Sequence, residues 1–138
     1  NGLQTIDDNE ALAAVHDAAR PLLKPELVEK LFELALHRGN AIPVIPVRES
    51  LRRINSTENK AVNRAEIFAV QTPQVFKVNL LKEAFAGNSD TTFTDEASLI
   101  ESVGFTVFSV QGDRDNIKIT FPEDIHVASI LLKKQLSI

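Results

Sequence analysis

Residues 15–21 read VHDAARP, and the rest of the chain is best understood outward from them. An apolar run from Ala11 to Val15 ends there in an acid, two alanines, a base and a proline, which is typical of a buried strand leaving the core at a sheet edge. In open α/β sheets ligands bind at the carboxyl ends of strands, so we expect Asp17 and Arg20 to face a ligand. A lone Asp-x-x-Arg pair is more often a loop salt bridge, and the remaining sequence has to decide between the two.

The composition fits one modest core and excludes several classes of protein. The chain has 138 residues, 43% of them hydrophobic, and a net charge of -4, which argues against a nucleic-acid binder. It has no cysteine, so disulfides and thiolate metal sites are excluded. No apolar run reaches the length of a membrane span. We therefore expect a cytoplasmic protein without nucleic-acid or membrane partners.

A strand, a helix and a second strand follow from the hydrophobic pattern. Over residues 25–38 apolar side chains recur with helical spacing, a proline stands in the first turn and Gly39 follows the end. Residues 41–47 (AIPVIPV) form a continuous apolar run, which is typical of a buried strand. Together with the strand at residues 11–16, this spacing predicts a right-handed βαβ crossover and an α/β fold.

Residues 50–68 have a different character. Their few apolar side chains are scattered among arginines and asparagines, and residues 55–60 are polar. The pattern predicts two extended segments joined by a turn, a hairpin too polar to lie in the core. Such a hairpin is marginal alone and needs a partner surface. A surface loop is the alternative, although structureless loops of this length are uncommon.

The second half of the chain contains several short elements. Thr92 or Thr94 is a candidate N-cap for the second of two short helices. The sequence TFPE at residues 120–123 forms a capping box that starts a helix running to about residue 133. The predicted elements before it are helices over residues 79–86 and 96–103 and strands over residues 105–110 and 116–120.

Five polar side chains lie at the ends or edges of predicted elements rather than on core faces. An aspartate at a strand end can hold Mg²⁺, and arginine and lysine balance phosphate charge. Threonine hydroxyls bind polyol or phosphate oxygens. This chemistry suits phosphoryl or nucleotidyl transfer, although helix capping alone would explain Thr94. The five residues are Asp17, Arg20, Thr72, Thr94 and Lys118.

No other catalytic motif competes with this set. The chain has no G-x-S-x-G, no H-E-x-x-H and no cysteine nucleophile. Its three histidines do not have the spacing of metal ligands. We expect His16 to pack beside the loop rather than to act as a base.

Five blocks of the sequence, in this order and spacing, resemble a known enzyme family. The blocks are VHDAARPLL, PVRESLRR, VNRAEIFAVQTPQVFK, FTDEASLIESVGF and DNIKITFPEDIHVA. They are similar to 2-C-methyl-D-erythritol 4-phosphate cytidylyltransferases, which join this polyol phosphate to CTP and release pyrophosphate in non-mevalonate isoprenoid biosynthesis. The resemblance covers nearly the whole chain. It implies a Rossmann-like nucleotidyltransferase sheet with a projecting β-arm, here residues 48–68, that builds a homodimer.

The resemblance also implies roles for individual residues. Asp17 would lie beside Mg²⁺ and the polyol hydroxyls, and Lys118 would stabilise charge on the transferring phosphoryl group. Arg64, on the arm, would reach the active site of the partner subunit. Ser50 stands where the family often has threonine and keeps the hydroxyl. The polyol phosphate site would be lined by Arg20, Thr72 and Thr94.

One departure from the family concerns nucleotide binding. Family members begin with a glycine-rich loop that cradles the CTP triphosphate, whereas the five glycines of this chain are scattered. We therefore expect residues 1–138 to be the C-terminal portion of a single cytidylyltransferase domain. This portion would hold most of the polyol-phosphate side and the arm, and would be inactive on CTP by itself.

Two alternative functions stay open. A ribitol-5-phosphate cytidylyltransferase shares the fold, the D-A-x-R-P turn and the T-P-Q block, although DNIKITFPED favours the erythritol enzyme. The other alternative is a non-catalytic dimerisation or ligand-binding module that has lost the nucleotide loop.

Overall fold

The computed structural model describes residues 2–87, 93 and 95–136. Within them a five-stranded mixed sheet is packed against helices, and two further strands form a separate hairpin. The α/β class predicted from the sequence is confirmed. The strands are β1 (Leu12–Val15), β2 (Asn40–Pro46), β3 (Leu51–Ile54), β4 (Asn59–Val62), β5 (Phe68–Val70), β6 (Gln74–Lys77) and β7 (Ser109–Gln111), and the helices are α1 (Pro25–Arg38), α2 (Val78–Gly87), α3 (Glu96–Ser102) and α4 (Pro122–Leu136).

Helix α1 confirms the prediction from periodicity at both of its ends. Pro25 begins the helix, where its missing N–H costs no hydrogen bond. Gly39 ends it with φ of 88°, a left-handed conformation, and donates its N–H to the carbonyl oxygen of Ala35 at 2.7 Å. The apolar residues Leu27, Leu31 and Ala35 of the helix pack against Ala41 and Val75 of the sheet.

The sheet contains a strand that the sequence pattern did not reveal. β6 lies between β1 and β2 and runs antiparallel to both, so β1 and β2 point in the same direction without pairing. Successive side chains of β6 alternate between the two faces of the sheet. Val75 packs in the cluster around α1, and Phe76 packs in the cluster that contains residues of α2 and α3.

The segment between β5 and β6 leaves the regular ladder. Both strands pair with β2, but three residue steps along β2, from Val44 to Ala41, face five steps along the partner, from Val70 to Val75. Gln71 still donates its N–H to the carbonyl oxygen of Pro43 at 2.9 Å. The two extra residues make a bulge that contains a cis Thr72–Pro73 peptide bond. This bulge places Thr72 beside the end of β1.

Two predicted strands differ from the structure. Residues 116–120 form no strand, because their backbone is held by bonds to the turn after β1 rather than by a sheet ladder; Ile119, for example, donates its N–H to the carbonyl oxygen of Ala19 at 2.8 Å. The strand predicted over residues 105–110 is only β7. Phe105 and Val107, whose apolar side chains suggested a longer strand, pack on the core from irregular backbone instead.

The helix caps also differ from the prediction. Asp95 is the N-cap of α3, because its side chain accepts a hydrogen bond from the backbone N–H of Ser98 at 2.9 Å. Thr92 and Thr94, the predicted candidates, lie outside the described residues.

A carboxylate also accepts backbone hydrogen bonds at the start of α4. Asp124 accepts from the backbone N–H groups of Thr120 and Phe121, each at 2.9 Å. The capping box predicted for Thr120 and Glu123 is therefore replaced by hydrogen bonds to the carboxylate of Asp124, one position further along. These two hydrogen bonds hold the pKa of Asp124 below its ordinary value.

The polar hairpin predicted for residues 50–68 is present as β3 and β4. The two strands pair antiparallel, and the Asn55 side chain accepts from the backbone N–H groups of Thr57 and Glu58 to close the turn. Most of its side chains are exposed, Ile54 to 69%. No helix in the described part of the chain has the length and apolar character to cross a membrane.

Candidate active site

An open cavity of about 800 Å³ lies where β1 ends. Its wall is assembled from the turn after β1, the bulge between β5 and β6, the start of α3 and the irregular segment around residue 118. The polar side chains of the wall include His16, Asp17, Arg20, Thr72, Asp95, Glu96 and Lys118, and the apolar ones include Phe85, Phe93 and Leu99.

Asp17 forms ion pairs with two cations in this cavity. Its Oδ2 lies 3.2 Å from Nζ of Lys118 and 3.3 Å from Nε of Arg20. Partial burial would raise the pKa of Asp17, but hydrogen bonds and charge from Lys118, and then from Arg20, bring it below its ordinary value. The Lys118 side chain is 51% exposed and that of Arg20 only 12%, so Lys118 is the cation more accessible to a ligand.

Arg20 has a structural role in addition to its charge. Its Nη1 donates to the backbone carbonyl of Asn116 at 2.8 Å, while its Nε donates to Asp17. Together with the bond between Ile119 and Ala19, this contact fixes residues 116–119 against the turn after β1. Lys118 therefore reaches Asp17 from irregular backbone.

Two buried amide side chains complete this attachment. Gln71, 4% exposed, donates from Nε2 to the carbonyl oxygens of Asp113 at 2.7 Å and Asn116 at 3.2 Å, and its Oε1 accepts from the N–H of Asp113 at 3.1 Å. Asn116, fully buried, donates from Nδ2 to the carbonyl oxygen of Thr72 at 2.9 Å. A Cβ at Gly112 would lie 2.4 Å from Oε1 of Gln71, so a larger residue here would force Gln71 to move. The two amides join the bulge to the segment that carries Lys118.

A third buried amide orients the start of α3. Gln74, 1% exposed, donates from Nε2 to Oδ2 of Asp95 at 3.0 Å and accepts at Oε1 from the N–H of Ala97 at 3.1 Å. Burial would raise the pKa of Asp95, but the hydrogen bonds from Ser98 and Gln74 outweigh it and lower the pKa. Asp95 is thus occupied with capping the helix.

The blocks that build this cavity match one family along almost the whole chain. The family model described as 2-C-methyl-D-erythritol 4-phosphate cytidylyltransferase (IspD) matches residues 1–134. The chain belongs to this family. The resemblance stated from the five sequence blocks is therefore confirmed.

Individual cytidylyltransferases give the same result. The chain is 42% identical over 132 residues to 2-C-methyl-D-erythritol 4-phosphate cytidylyltransferase of Bacteroides thetaiotaomicron, a match that covers 96% of the chain and 60% of that relative. The crystal structure of the enzyme of that name from Thermus thermophilus superposes with a TM-score of 0.84 at 34% identity, covering 95% of the chain and 65% of that structure. The Francisella tularensis enzyme gives 0.83 at 30% identity, covering 95% and 64%.

These matches support the Rossmann-like nucleotidyltransferase fold. The chain spans about 60% of the length of the curated cytidylyltransferases that it matches.

The structure brings together four of the predicted site residues of the cytidylyltransferase family. Asp17, Arg20, Thr72 and Lys118 line one cavity although up to a hundred positions separate them. Ser50 and Arg64 do not line it. Ser50 precedes β3, and Arg64 follows β4 in a short 3₁₀ turn (Arg64–Glu66), where it is exposed and donates from Nη1 to the carbonyl oxygen of Arg48. The seventh predicted residue, Thr94, lies outside the described residues.

Sequence reasoning missed the amides Gln71, Gln74 and Asn116. The only signal was their position, since each is an uncharged polar residue at the border of an apolar run. That signal does not distinguish a buried amide from a turn residue.

A metal ion at this site would be coordinated by few protein ligands. In the parts of the chain that the structure describes, no group of three or more acidic or histidine side chains is arranged to hold one. Mg²⁺, however, is commonly held by one or two carboxylates together with substrate phosphates and water. Asp17, with its side chain 32% exposed, fits that arrangement, whereas both oxygens of Asp95 accept hydrogen bonds from its neighbours.

Proposed function

We propose that the protein carrying this chain transfers CMP from CTP to 2-C-methyl-D-erythritol 4-phosphate and releases pyrophosphate. The observation that carries the proposal is the Asp17–Arg20–Lys118 cluster, set in a cavity that is built from the family's own sequence blocks. The names of the relatives agree with this substrate class and give no support to ribitol 5-phosphate.

Lys118 is the residue that we expect to act on the reacting atoms. In this reaction a phosphate oxygen of the polyol phosphate attacks the α-phosphorus of CTP, the new P–O bond forms, and the bond to pyrophosphate breaks. The accessible ammonium of Lys118 would stabilise the charge that develops on the transferring group. Asp17, a carboxylate at neutral pH whose pKa is lowered further by Lys118 and Arg20, would accept hydrogen bonds from polyol hydroxyls and would contribute the protein oxygen for Mg²⁺. The metal, when bound, would neutralise phosphate charge.

Substitution of Asp17 separates this role from a structural one. Asp17→Asn keeps the shape and removes the charge, so activity should fall strongly and should be restored only in part by excess Mg²⁺. Activity near that of the unsubstituted protein at every Mg²⁺ concentration would leave Asp17 with a structural role alone.

The reaction can be tested on two proteins. One is the chain of 138 residues. The other, called here the joined protein, is the same chain preceded by the N-terminal segment that we expect from the family resemblance, taken from the Bacteroides thetaiotaomicron relative, of which the chain covers 60%. With CTP, Mg²⁺ and methylerythritol phosphate, we expect pyrophosphate release from the joined protein and none from the chain alone. Turnover by the chain alone would contradict our account of nucleotide binding. Preference of the joined protein for ribitol 5-phosphate in a competition assay would establish the alternative substrate.

Charge balance supports the further proposal that the site is shared between two subunits. Among the described residues that line the cavity there are three carboxylates and only two cations. A phosphate group needs more positive charge than this, and Arg64 lies at the base of an exposed hairpin whose own surface is largely unpacked. In a two-fold dimer built through the hairpin, each Arg64 would reach the other subunit's cavity.

Mixed dimers test this arrangement directly. Arg64→Ala and Asp17→Ala, each made in the joined protein, should be nearly inactive. Refolding them together should produce mixed dimers in which one site carries both defects and the other carries neither. Activity should then return to roughly a quarter of that of the unsubstituted protein if subunits pair at random. A mixture that stays inactive while mixed dimers are shown to form would place Arg64 in the site of its own chain.

A further inference from the structure

His16 has partners for both of its ring nitrogens, and these partners determine where its proton lies. Nε2 is 3.2 Å from the backbone carbonyl oxygen of Arg20, and Nδ1 is 2.9 Å from Oγ1 of Thr72. A carbonyl oxygen can only accept, so in the neutral imidazole Nε2 carries the hydrogen and Nδ1 is an acceptor. The hydroxyl of Thr72 must therefore donate its proton to Nδ1 of His16.

The remaining hydrogen-bonding capacity of Thr72 follows from this. A hydroxyl has one hydrogen and two lone pairs. The hydrogen is directed to His16, and one lone pair accepts the backbone N–H of Asp17 at 2.9 Å. Thr72 lines the cavity, so what its hydroxyl can offer a ligand there is the second lone pair.

We propose that His16 is a positioning residue that makes Thr72 a hydrogen-bond acceptor, so that Thr72 binds a hydroxyl group of the polyol and not its phosphate. The oxygens of a phosphate dianion also only accept, and they would be repelled by the lone pair of Thr72. The identity of the ligand rests on the proposed function, whereas the direction of the hydrogen bond rests on the contacts of His16. The inference revises the expectation that Thr72 lines the phosphate site.

The charges around the cavity agree with the binding of a polyol hydroxyl, and not of the phosphate, at Thr72. The Asp17 carboxylate, an acceptor when ionised, accompanies Thr72 in the same wall, and Asp95 and Glu96 add further negative charge. Lys118, half exposed, is the accessible donor for a phosphate among the described residues of the wall. A neutral hydroxyl therefore suits the Thr72 side of the cavity better than an anion does.

Nitrogen NMR of the chain tests the hydrogen-bond direction without any ligand. At a pH of about 8.5, where a histidine side chain is ordinarily neutral, His16 should show the spectrum of the Nε2–H tautomer. Thr72→Val, which has nearly the same shape, should shift the Nδ1 resonance of His16, and Thr72→Ser should restore it. His126, on α4, is the internal control and should not respond. A Nδ1–H tautomer at His16, or a Nδ1 resonance indifferent to Thr72→Val, would overturn the proposal.

Binding measurements with two probes test the consequence for recognition. Thr72→Val should weaken binding of methylerythritol phosphate to the chain about tenfold, the loss expected for one hydrogen bond, and should not weaken binding of inorganic phosphate. Lys118→Ala should weaken both. Equal losses for both probes in Thr72→Val would contradict the proposal.

A variant of His16 supplies the complementary test. His16→Phe removes the acceptor of the Thr72 proton and frees that proton to donate, so inorganic phosphate should bind a few-fold tighter, as expected for a small gain in interaction energy. The gain should vanish when Thr72→Val is added; a gain that persists would refute the proposal. If methylerythritol phosphate does not bind at all, the proposed function loses support, while the NMR result still decides the hydrogen-bond direction.

Discussion

The cavity wall and the hairpin of β3 and β4 are both polar in sequence, yet they are stabilised in opposite ways. The wall joins segments that are far apart in the chain, through hydrogen bonds such as Gln71 to Asp113 and Arg20 to Asn116. The hairpin strands are neighbours in sequence and pair mainly with each other, and Ile54 at the end of β3 is 69% exposed.

The difference shows what a polar stretch can mean in a protein of this size. In the wall, the amides of Gln71, Gln74 and Asn116 are buried and form hydrogen bonds to partners within the same chain, and these bonds join its segments. In the hairpin the polar side chains remain in solvent, so any further stabilisation has to come from another surface. Substitutions that affect one region and not the other test this comparison.

The largest effect is expected at Lys118 in the wall. Lys118→Ala in the joined protein should lower kcat by about 10²–10³-fold with a smaller change in KM, because the ammonium meets charge that grows in the transition state. Lys60→Ala on the hairpin should leave kcat unchanged and is the matched control. Steady-state pyrophosphate release measures both, and a rise in KM at constant kcat would assign Lys118 to ground-state binding.

Gln71→Ala should lower the free energy of unfolding of the chain by about 2–3 kcal/mol, because it removes three hydrogen bonds at a buried position and leaves the backbone N–H of Asp113 without the acceptor that Gln71 provides. Gln4→Ala, at an exposed position, should change it by less than about 0.5 kcal/mol. Urea denaturation compares the two. Similar small changes would mean that the buried amides are not what holds the wall together.

Gly112→Ala should cost about 1–2 kcal/mol, because the new Cβ meets Oε1 of Gln71 and has Val44 backbone nearby. Gly2→Ala, which meets no atom within 4 Å, is the control. Combined with Gln71→Ala the cost at residue 112 should shrink, since the close atom is then gone. Strict additivity of the two costs would show that they do not act through the same contact.

The lowered pKa of Asp95 predicts a loss of stability in acid. The carboxylate stabilises the native state at pH values above its unfolded pKa of about 3.9, and this contribution is lost as the pH falls through the lower folded value. Asp95→Asn should therefore be less stable than the unsubstituted chain by about 1 kcal/mol at neutral pH, and the two should converge in acid. Thermal unfolding from pH 7 to pH 2 measures the difference; a constant difference would exclude the carboxylate charge as its source.

The smallest effect is expected in the hairpin. Ile54→Ala should change the free energy of unfolding by less than about 0.5 kcal/mol in dilute solution, because the side chain is mostly exposed. If the hairpin packs on a second copy, the loss should grow with protein concentration, since dimerisation stabilises the native state by mass action. A large loss that is independent of concentration would show that the hairpin packs within its own chain.

Much of the molecule was determined by local sequence. The bounds of α1 follow from periodicity, Pro25 and Gly39, and the hairpin follows from a polar turn between two extended segments. Asp17, Arg20, Thr72 and Lys118 were predicted as site residues because polar side chains interrupt apolar runs there, and the structure places all four in one cavity.

Other features were decided only by the tertiary structure. β6 was missed because a four-residue strand next to a bulge carries little pattern, and the strand predicted around Lys118 is absent because its backbone bonds to the turn after β1 instead. Gln71, Gln74 and Asn116 gain their roles from partners that lie 21–45 positions away. The hydrogen of His16 was likewise assigned by two neighbours in space. Periodicity reports which side chains avoid water, whereas the partner that satisfies a buried polar group is known only once the chain has folded.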